Sequence, residues 1–386
     1  MTDDHRLPFS VDIPQSIEPA PPDYPADPFA GGRQEYRVIF RGGTSLRIVS
    51  GEKAVGWLRV LQATQRSSRP VAVASDDGVL SELRLPAVVS LTKLVATREG
   101  DLELHAYPSH VRHLLPRGHP EFGRLSRQIA EWLDPPVPVA IIEDDRHDII
   151  DILAYRPPPD GPDVLPRLPP FWDRLRYLID IWWRWWLEKW RWLCWIFCWG
   201  CRCTSQARAW QLYHLVAAKS CAPLNPQPPC IPFLYPDNGC WGRAHEMCRL
   251  MVAEGVTPAK VWIHGNLHTL TRNNPNCYVN WGWHVAPTLC VRNGFCFTET
   301  WVIDPSLFPG PVTKATWKSV QGDPSATLND TSWTIFHWWG NQTDPTFTQT
   351  NTVLSDHRTL LLYRSTVETD PNTGQLWGPP PYAHCP

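Results

Sequence analysis

The run Pro232-Phe233-Leu234-Tyr235-Pro236-Asp237-Asn238-Gly239-Cys240-Trp241-Gly242-Arg243-Ala244-His245-Glu246-Met247 decides how this chain is read. A turn punctuated by proline and glycine delivers a cysteine to the start of an apolar-periodic segment. Asp237 and Asn238 are good N-cap residues. Trp241, Ala244, Cys248 and Met251 recur at steps of three and four, and Gly255 stops the run. The pattern predicts a helix of about four turns with Cys240 in its first turn. There the unbonded backbone N–H groups and the positive end of the helix dipole favour a thiolate. The same N–H groups can receive an oxyanion.

A nucleophilic cysteine needs a base, and the base needs an orienting partner. Downstream, Trp281-Gly282-Trp283-His284-Val285-Ala286 and Phe295-Cys296-Phe297-Thr298-Glu299-Thr300-Trp301-Val302-Ile303-Asp304 flank the turn Arg292-Asn293-Gly294. This reads as a β-hairpin. A three-residue loop pairs Val291 with Phe295, Cys290 with Cys296 and His284 with Val302. Asp304 then lies diagonal to His284 on one face, within reach of a hydrogen bond. A two-residue loop would put them on opposite faces.

The blocks Tyr-Pro-Asp-Asn-Gly-Cys-Trp-Gly-Arg-Ala-His-Glu-Met, Trp-His-Val-Ala-Pro and Trp-Val-Ile-Asp-Pro-Ser-Leu resemble the bacterial protein-glutaminases, which deamidate glutamines in proteins. The resemblance covers roughly residues 205–320. It implies an α+β, papain- and transglutaminase-like fold, with a nucleophile helix packed on an antiparallel sheet. It also implies a Cys-His-Asp triad: Cys240 as nucleophile, His284 as general base and acid, Asp304 as orienter. No cofactor and no metal are implied; the partners are proteins bearing accessible glutamines. A thiol peptidase or a transglutaminase would use the same triad, and only the resemblance selects deamidation.

The whole chain has 386 residues, enough for two domains, and a net charge of -2 that gives no prior for nucleic-acid binding. Its 41 prolines and 22 tryptophans are unusual, and none of the 12 cysteines precedes Cys194. Residues 1–32, rich in Pro, Asp and Gly, are expected to be disordered. They show no basic, apolar leader, so the expectation is cytoplasmic synthesis with export, if any, by a signal-independent route. Residues 33–155 read as a small α/β accessory domain with a weak internal repeat of helix, strand, acidic turn and strand. The Asp76-Asp77 and Asp144-Asp145 pairs are read as hairpin turns. His105, His110, His113 and His119 show no ligand spacing and are read as surface histidines. Residues 156–170 are a Pro-rich linker.

Residues 171–203 should form a helix carrying eight tryptophans from Trp182 to Trp199. Arg176, Asp180, Arg184 and Glu188 mark one charged stripe. Its longest charge-free run is too short to span a bilayer. It is either buried on the protein's own core or docks on a membrane surface or partner protein, in which case the chain could act through this helix instead. Cys194, Cys198, Cys201 and Cys203 could hold zinc, form disulfides or simply pack. Cys221 and Cys230 could close the Pro-rich loop between them, and Cys290 and Cys296 are the favoured disulfide pair. Cys248, on the apolar stripe, reads as a packed thiol.

The catalytic domain is placed at 204–368 and a loose tail at 369–386. Segment 207–219 reads as a helix, 261–263 as a strand and 314–318 as a short helix. Segments 333–338 and 360–364 are expected to complete the sheet. His245 is read as structural or adjacent to substrate, and His264, His268, His337 and His357 as surface histidines.

Overall fold

The computed structural model describes residues 9–23, 26–144, 146–157, 203–293 and 297–386. The tryptophan-rich segment lies outside the described residues up to residue 202, as do Cys194, Cys198, Cys201 and Cys296. The mixed α+β class expected from the sequence is what the chain forms. It divides into two units, Met1–Pro166 with Ala222–Gln227 and Ser355–Tyr382, and Arg167–Cys221 with Pro228–Leu354 and Ala383–Pro386.

In the first unit, β-branched and aromatic runs separated by short turns build two sheets. The elements are β1 (Ser10–Asp12), β2 (Pro14–Glu18), β3 (Glu35–Phe40), β4 (Ser45–Val49), α1 (Ala54–Ser67), β5 (Val71–Asp76) and β6 (Val79–Arg84). There follow β7 (Ala87–Ala96), β8 (Leu102–Tyr107), β9 (His113–Leu115), α2 (Phe122–Leu133), β10 (Pro138–Glu143) and β11 (Ile149–Ala154). The strand orders are β1-β5-β6-β4-β3-β2 and β11-β10-β7-β8-β9. The repeat is present: α1-β5-β6 and α2-β10-β11 each run helix, strand, acidic turn, strand, and each belongs to its own sheet. Asp77 (φ 46) and Gly78 (φ 72) make the first turn, both left-handed as a two-residue hairpin of this kind requires. Each sheet has its own core, one around Val38, Ile48, Leu58 and Leu61, the other around Leu104, Leu125, Ile129 and Ile141.

The expected disorder of 1–32 does not hold for 10–18. β1 and β2 pair with β5 and β3, because Ile13 and Ile17 have apolar surface to bury. The composition average hid that local alternation.

The second unit runs β12 (Thr204–Ser205), α3 (Gln206–Ala217), α4 (Cys240–Ala253), β13 (Ala259–Leu270), β14 (Tyr278–Arg292), β15 (Thr298–Val302) and β16 (Val312–Thr313). Then come α5 (Lys314–Ser319), β17 (Thr327–Ser332), β18 (Ile335–His337), β19 (Gln342–Thr343) and α6 (Thr348–Thr366), whose residues from Ser355 belong to the first unit. The main sheet has the order β16-β15-β14-β13-β17. It is antiparallel apart from the short parallel pairing of β12 on β14. Residues from α3 and α4 pack with Trp262, Trp283, Val285 and Leu289 of the sheet in one core.

Three expectations are corrected here. Residues 360–364 are helical, not a strand: an apolar run that short does not tell a strand from a buried helix turn. The Asp344 carboxylate accepts from Thr350 N and Oγ1 and so supports the start of α6. β18 pairs with β19 outside the main sheet, whose edge is β17. The tail is not loose, since Cys385 is disulfide-bonded to Cys277 and His384 Nε2 donates to Pro275 O at 2.8 Å.

Candidate active site

Cys240 is the first residue of α4. Gly239 is the N-cap, at φ 78, rather than Asp237 or Asn238. A left-handed N-cap suits glycine, because a Cβ would be strained there. Gly255 (φ 75) ends the helix as expected, with its N–H donating to Val252 O. Trp241, Ala244, Cys248 and Met251 are all buried on the packed face. Ahead of Cys240 the chain is clamped by Arg243, itself 2% exposed. Its guanidinium donates to Tyr235 O at 2.9 Å, Asn238 O at 2.5 Å and Pro236 O at 3.3 Å.

His284 lies on β14 opposite Ile263 of β13. Its Nε2–H donates to Asp304 Oδ2 at 2.9 Å. The ring is stacked between Trp281, at 4.3 Å and 15°, and Trp317, at 5.6 Å and 25°. Asp304 Oδ2 also accepts from Trp317 Nε1 at 2.9 Å, and Oδ1 accepts from Ser306 N at 3.3 Å. Burial by itself would raise the Asp304 carboxyl. The imidazole, the Trp317 N–H and the Arg243 guanidinium overcome that and hold it below the usual range.

The hairpin register differs from the one expected. Thr288 pairs with Val302 and Cys290 with Thr300, so the connection is longer than three residues. Cys290 therefore does not oppose Cys296; it is disulfide-bonded to Cys203. Cys203 is thus not a zinc ligand. The slip from the expected pairing is an even number of residues, and side chains alternate with period two. His284 and Asp304 consequently keep their common face.

The Cys240 sulfur accepts backbone N–H groups from Val285, the residue after His284, and from Trp241. Cys240, His284 and Asp304 are all buried, at 1%, 1% and 3% exposed. The sequence suggested a stabilised thiolate. Instead burial pushes the thiol up to about 12, against the opposing pull of Arg243 and the two N–H groups. Full desolvation of a thiolate outweighs the partial charge of one helix end.

Other candidates resolve as follows. Cys221 and Cys230, left open in the sequence, form a disulfide, and Cys248 is a buried thiol. His245 is structural: its Nδ1 accepts from buried Lys260 Nζ at 2.9 Å. His337 and His357 are buried rather than on the surface, His337 among Trp241, Trp262 and Trp283. In the first unit His110 and His113 are buried too. His113 Nδ1 and His147 Nδ1 donate to the two oxygens of Glu143, at 2.5 and 2.8 Å. Ligands about 2.0–2.1 Å from one tetrahedral zinc would stand roughly 3.3 Å apart, so these are hydrogen-bond distances. Burial alone would raise Glu143, and the two imidazoles hold it well below the usual carboxylate range.

In the same turn, burial pushes the Asp148 carboxyl up to about 6, with Asp144 adding to it. A carboxyl raised on folding leaves stability intact at low pH and removes it as pH rises through about 6. Asp148→Asn should therefore stabilise the chain at pH 7.5, by about 1 kcal/mol after discounting for its partial exposure. The gain should disappear near pH 3.5. Denaturant midpoints at the two pH values check it.

Residues 209–321 match a family model described as a glutaminase. The match spans under a third of the chain. No curated protein matches the chain. Among solved structures, a pro-protein-glutaminase is similar at 21% identity and TM-score 0.46, covering 71% of this chain and 94% of that one. The protein-glutaminase from Chryseobacterium proteolyticum is similar at 27% identity and TM-score 0.36, covering 45% of this chain and 94% of that one. Cys240, His284 and Asp304 all fall within the matched segment.

Sequence reasoning missed the residues that hold the three in place. Arg243 was legible as a charge two residues from the buried Trp241 on the packed helix, but its three carbonyl partners were not. Trp317 was placed on a short helix with nothing to tie it to Asp304. Trp317→Phe keeps the stacked ring and removes the donor to a buried carboxylate. It should cost about 1.5–3 kcal/mol of stability. Any activity should fall roughly ten- to a hundredfold through misplacement of His284. Thermal unfolding and kcat measured on one preparation test both.

Among the described residues no helix is long and apolar enough to cross a membrane.

Proposed function

We propose that the chain is a protein-glutamine deamidase acting through Cys240, His284 and Asp304. The observation that carries this reading is the His284–Asp304 hydrogen bond on a strand whose next residue, Val285, gives its backbone N–H to the helix-initial Cys240, inside the segment that matches a glutaminase family model. His284 gives Nε2 to Asp304, so Nδ1 is the nitrogen that takes the thiol proton. The thiolate attacks the carboxamide carbon of a glutamine side chain, and the oxyanion forms at the N-terminus of α4. The imidazolium protonates departing ammonia. The same imidazole then activates the water that hydrolyses the thioester to glutamate.

The thiol is 1% exposed, so the side chains over it must part before a glutamine enters. Incubation with a glutamine-rich protein tests the reading. Ammonia release without fragments supports it, peptide fragments would point to a thiol peptidase, and cross-links would point to a transglutaminase. A persistent lack of ammonia across varied protein substrates, with folding intact, would overturn it.

A further inference from the structure

Three residues before Cys240, the Asp237 side chain is fully buried. Its Oδ1 accepts from Asn274 Nδ2 at 2.5 Å, and its main-chain oxygen accepts from Trp281 Nε1 at 2.9 Å. Trp281 is the ring stacked on His284. One carboxylate residue therefore ties the loop that delivers the nucleophile to the ring that orients the base.

Asn274 is 2% exposed and sits in the loop between β13 and β14. Its own position is set by the chain around it. Asn274 Oδ1 accepts from Asn276 N at 2.7 Å, and Asn274 O accepts from Cys277 N at 2.9 Å. The Cys385 sulfur lies 3.6 Å from the same carbonyl oxygen. Cys277, at φ 66, is joined by a disulfide to Cys385, 108 residues away, and His384 donates to Pro275 O. The contacts form a continuous path from Cys277–Cys385 through Asn274, Asp237 and Trp281 to His284.

We propose that Asn274, held by the Cys277–Cys385 disulfide, is a positioning residue that keeps the Cys240 loop and the His284 ring in register, so that turnover depends on that disulfide. The inference rests on the deamidase reading for its kinetic arm only. Reduction by a dithiol proceeds through a mixed disulfide. The reductant closes to its own disulfide, and two electrons and two protons pass to Cys277 and Cys385. The loop then loses its covalent tie, and the Asn274–Asp237 hydrogen bond is no longer enforced.

The test compares wild type with Asn274→Asp, with the swapped pair Asn274→Asp/Asp237→Asn, and with Cys277→Ser/Cys385→Ser. Asn274→Asp sets two carboxylates against each other, and the swap restores one amide and one carboxylate. Expected results are a kcat lower by about a hundredfold for Asn274→Asp, with KM within about threefold, and recovery to within about tenfold in the swap. The double serine variant should lose kcat similarly. The second readout needs no substrate: the His284 ring protons, shielded by Trp281 and Trp317, should move toward unshielded NMR shifts in Asn274→Asp and in the double serine variant. The swap should move them back. Unchanged His284 shifts in folded Asn274→Asp, or wild-type kcat in the folded double serine variant, would overturn the proposal. If wild type itself releases no ammonia, the deamidase reading fails while the NMR arm still decides the positioning role.

Discussion

Replacing His284 with alanine is expected to reduce ammonia release by roughly 10⁴- to 10⁶-fold, and Cys240→Ala by a similar factor. The double replacement should cost no more than the worse single one, because nucleophile and base act as a unit. The physical reason lies in the thiol's surroundings. A thiol pushed up by burial is held predominantly protonated at neutral pH. The helix end does not supply the thiolate unaided, so a neighbouring base must take the proton as attack occurs. Rates from a coupled ammonia assay, with unfolding midpoints measured beside them, check the expectation. Because His284→Ala leaves Asp304 buried without its imidazole, His284→Asn should be measured in parallel. Activity within tenfold of wild type in either folded His284 variant would exclude His284 as the base.

The second large effect is expected at Arg243. Its side chain is 2% exposed and holds the main-chain oxygens of Tyr235, Pro236 and Asn238. Arg243→Met fills much of the volume yet leaves those three acceptors without their buried donor. It also removes the positive charge that faces Cys240 and Asp304. A loss of about 3–5 kcal/mol in unfolding free energy is expected. The surviving folded fraction should turn over far more slowly, since the loop that delivers Cys240 is no longer clamped. Arg243→Lys keeps the charge but cannot span three carbonyls with one ammonium, so it should fall between the two. Denaturant titration with single-turnover kinetics separates the effects. A midpoint for Arg243→Met close to that of wild type would show that the clamp contributes little.

Much of the candidate site was legible because it is local. Gly255 sets where α4 ends and the apolar steps of three and four set which face it buries, both from residues within one or two turns of each other. The start was placed rightly at Cys240, though Gly239 rather than Asp237 or Asn238 caps it. The Cys221–Cys230 bridge closes a short loop of the chain, so the sequence could offer it as a candidate, though not settle it. The common face of His284 and Asp304 survived a wrong register, since any even slip preserves side-chain direction. Corrections came where partners are distant in sequence. Cys203 and Cys290 are 87 residues apart, and Cys277 and Cys385 are 108 apart. No spacing rule reaches that far, because pairing depends on which Cα atoms the fold brings within a few ångströms.

The residues alone carry the α+β class, the helix that starts at Cys240, the hairpin strands that bring His284 and Asp304 to one face, and the resemblance of this segment to glutaminases. Tertiary structure alone decided the hairpin register, the helical state of 348–366, the clamp of Arg243 on the loop carbonyls and the tryptophan sandwich around His284. It also set the burial that pushes the Cys240 thiol up. Backbone hydrogen bonding and side-chain periodicity act over a few residues and are written into the chain. Desolvation depends on everything packed around an atom, and that is known only once the whole unit has folded.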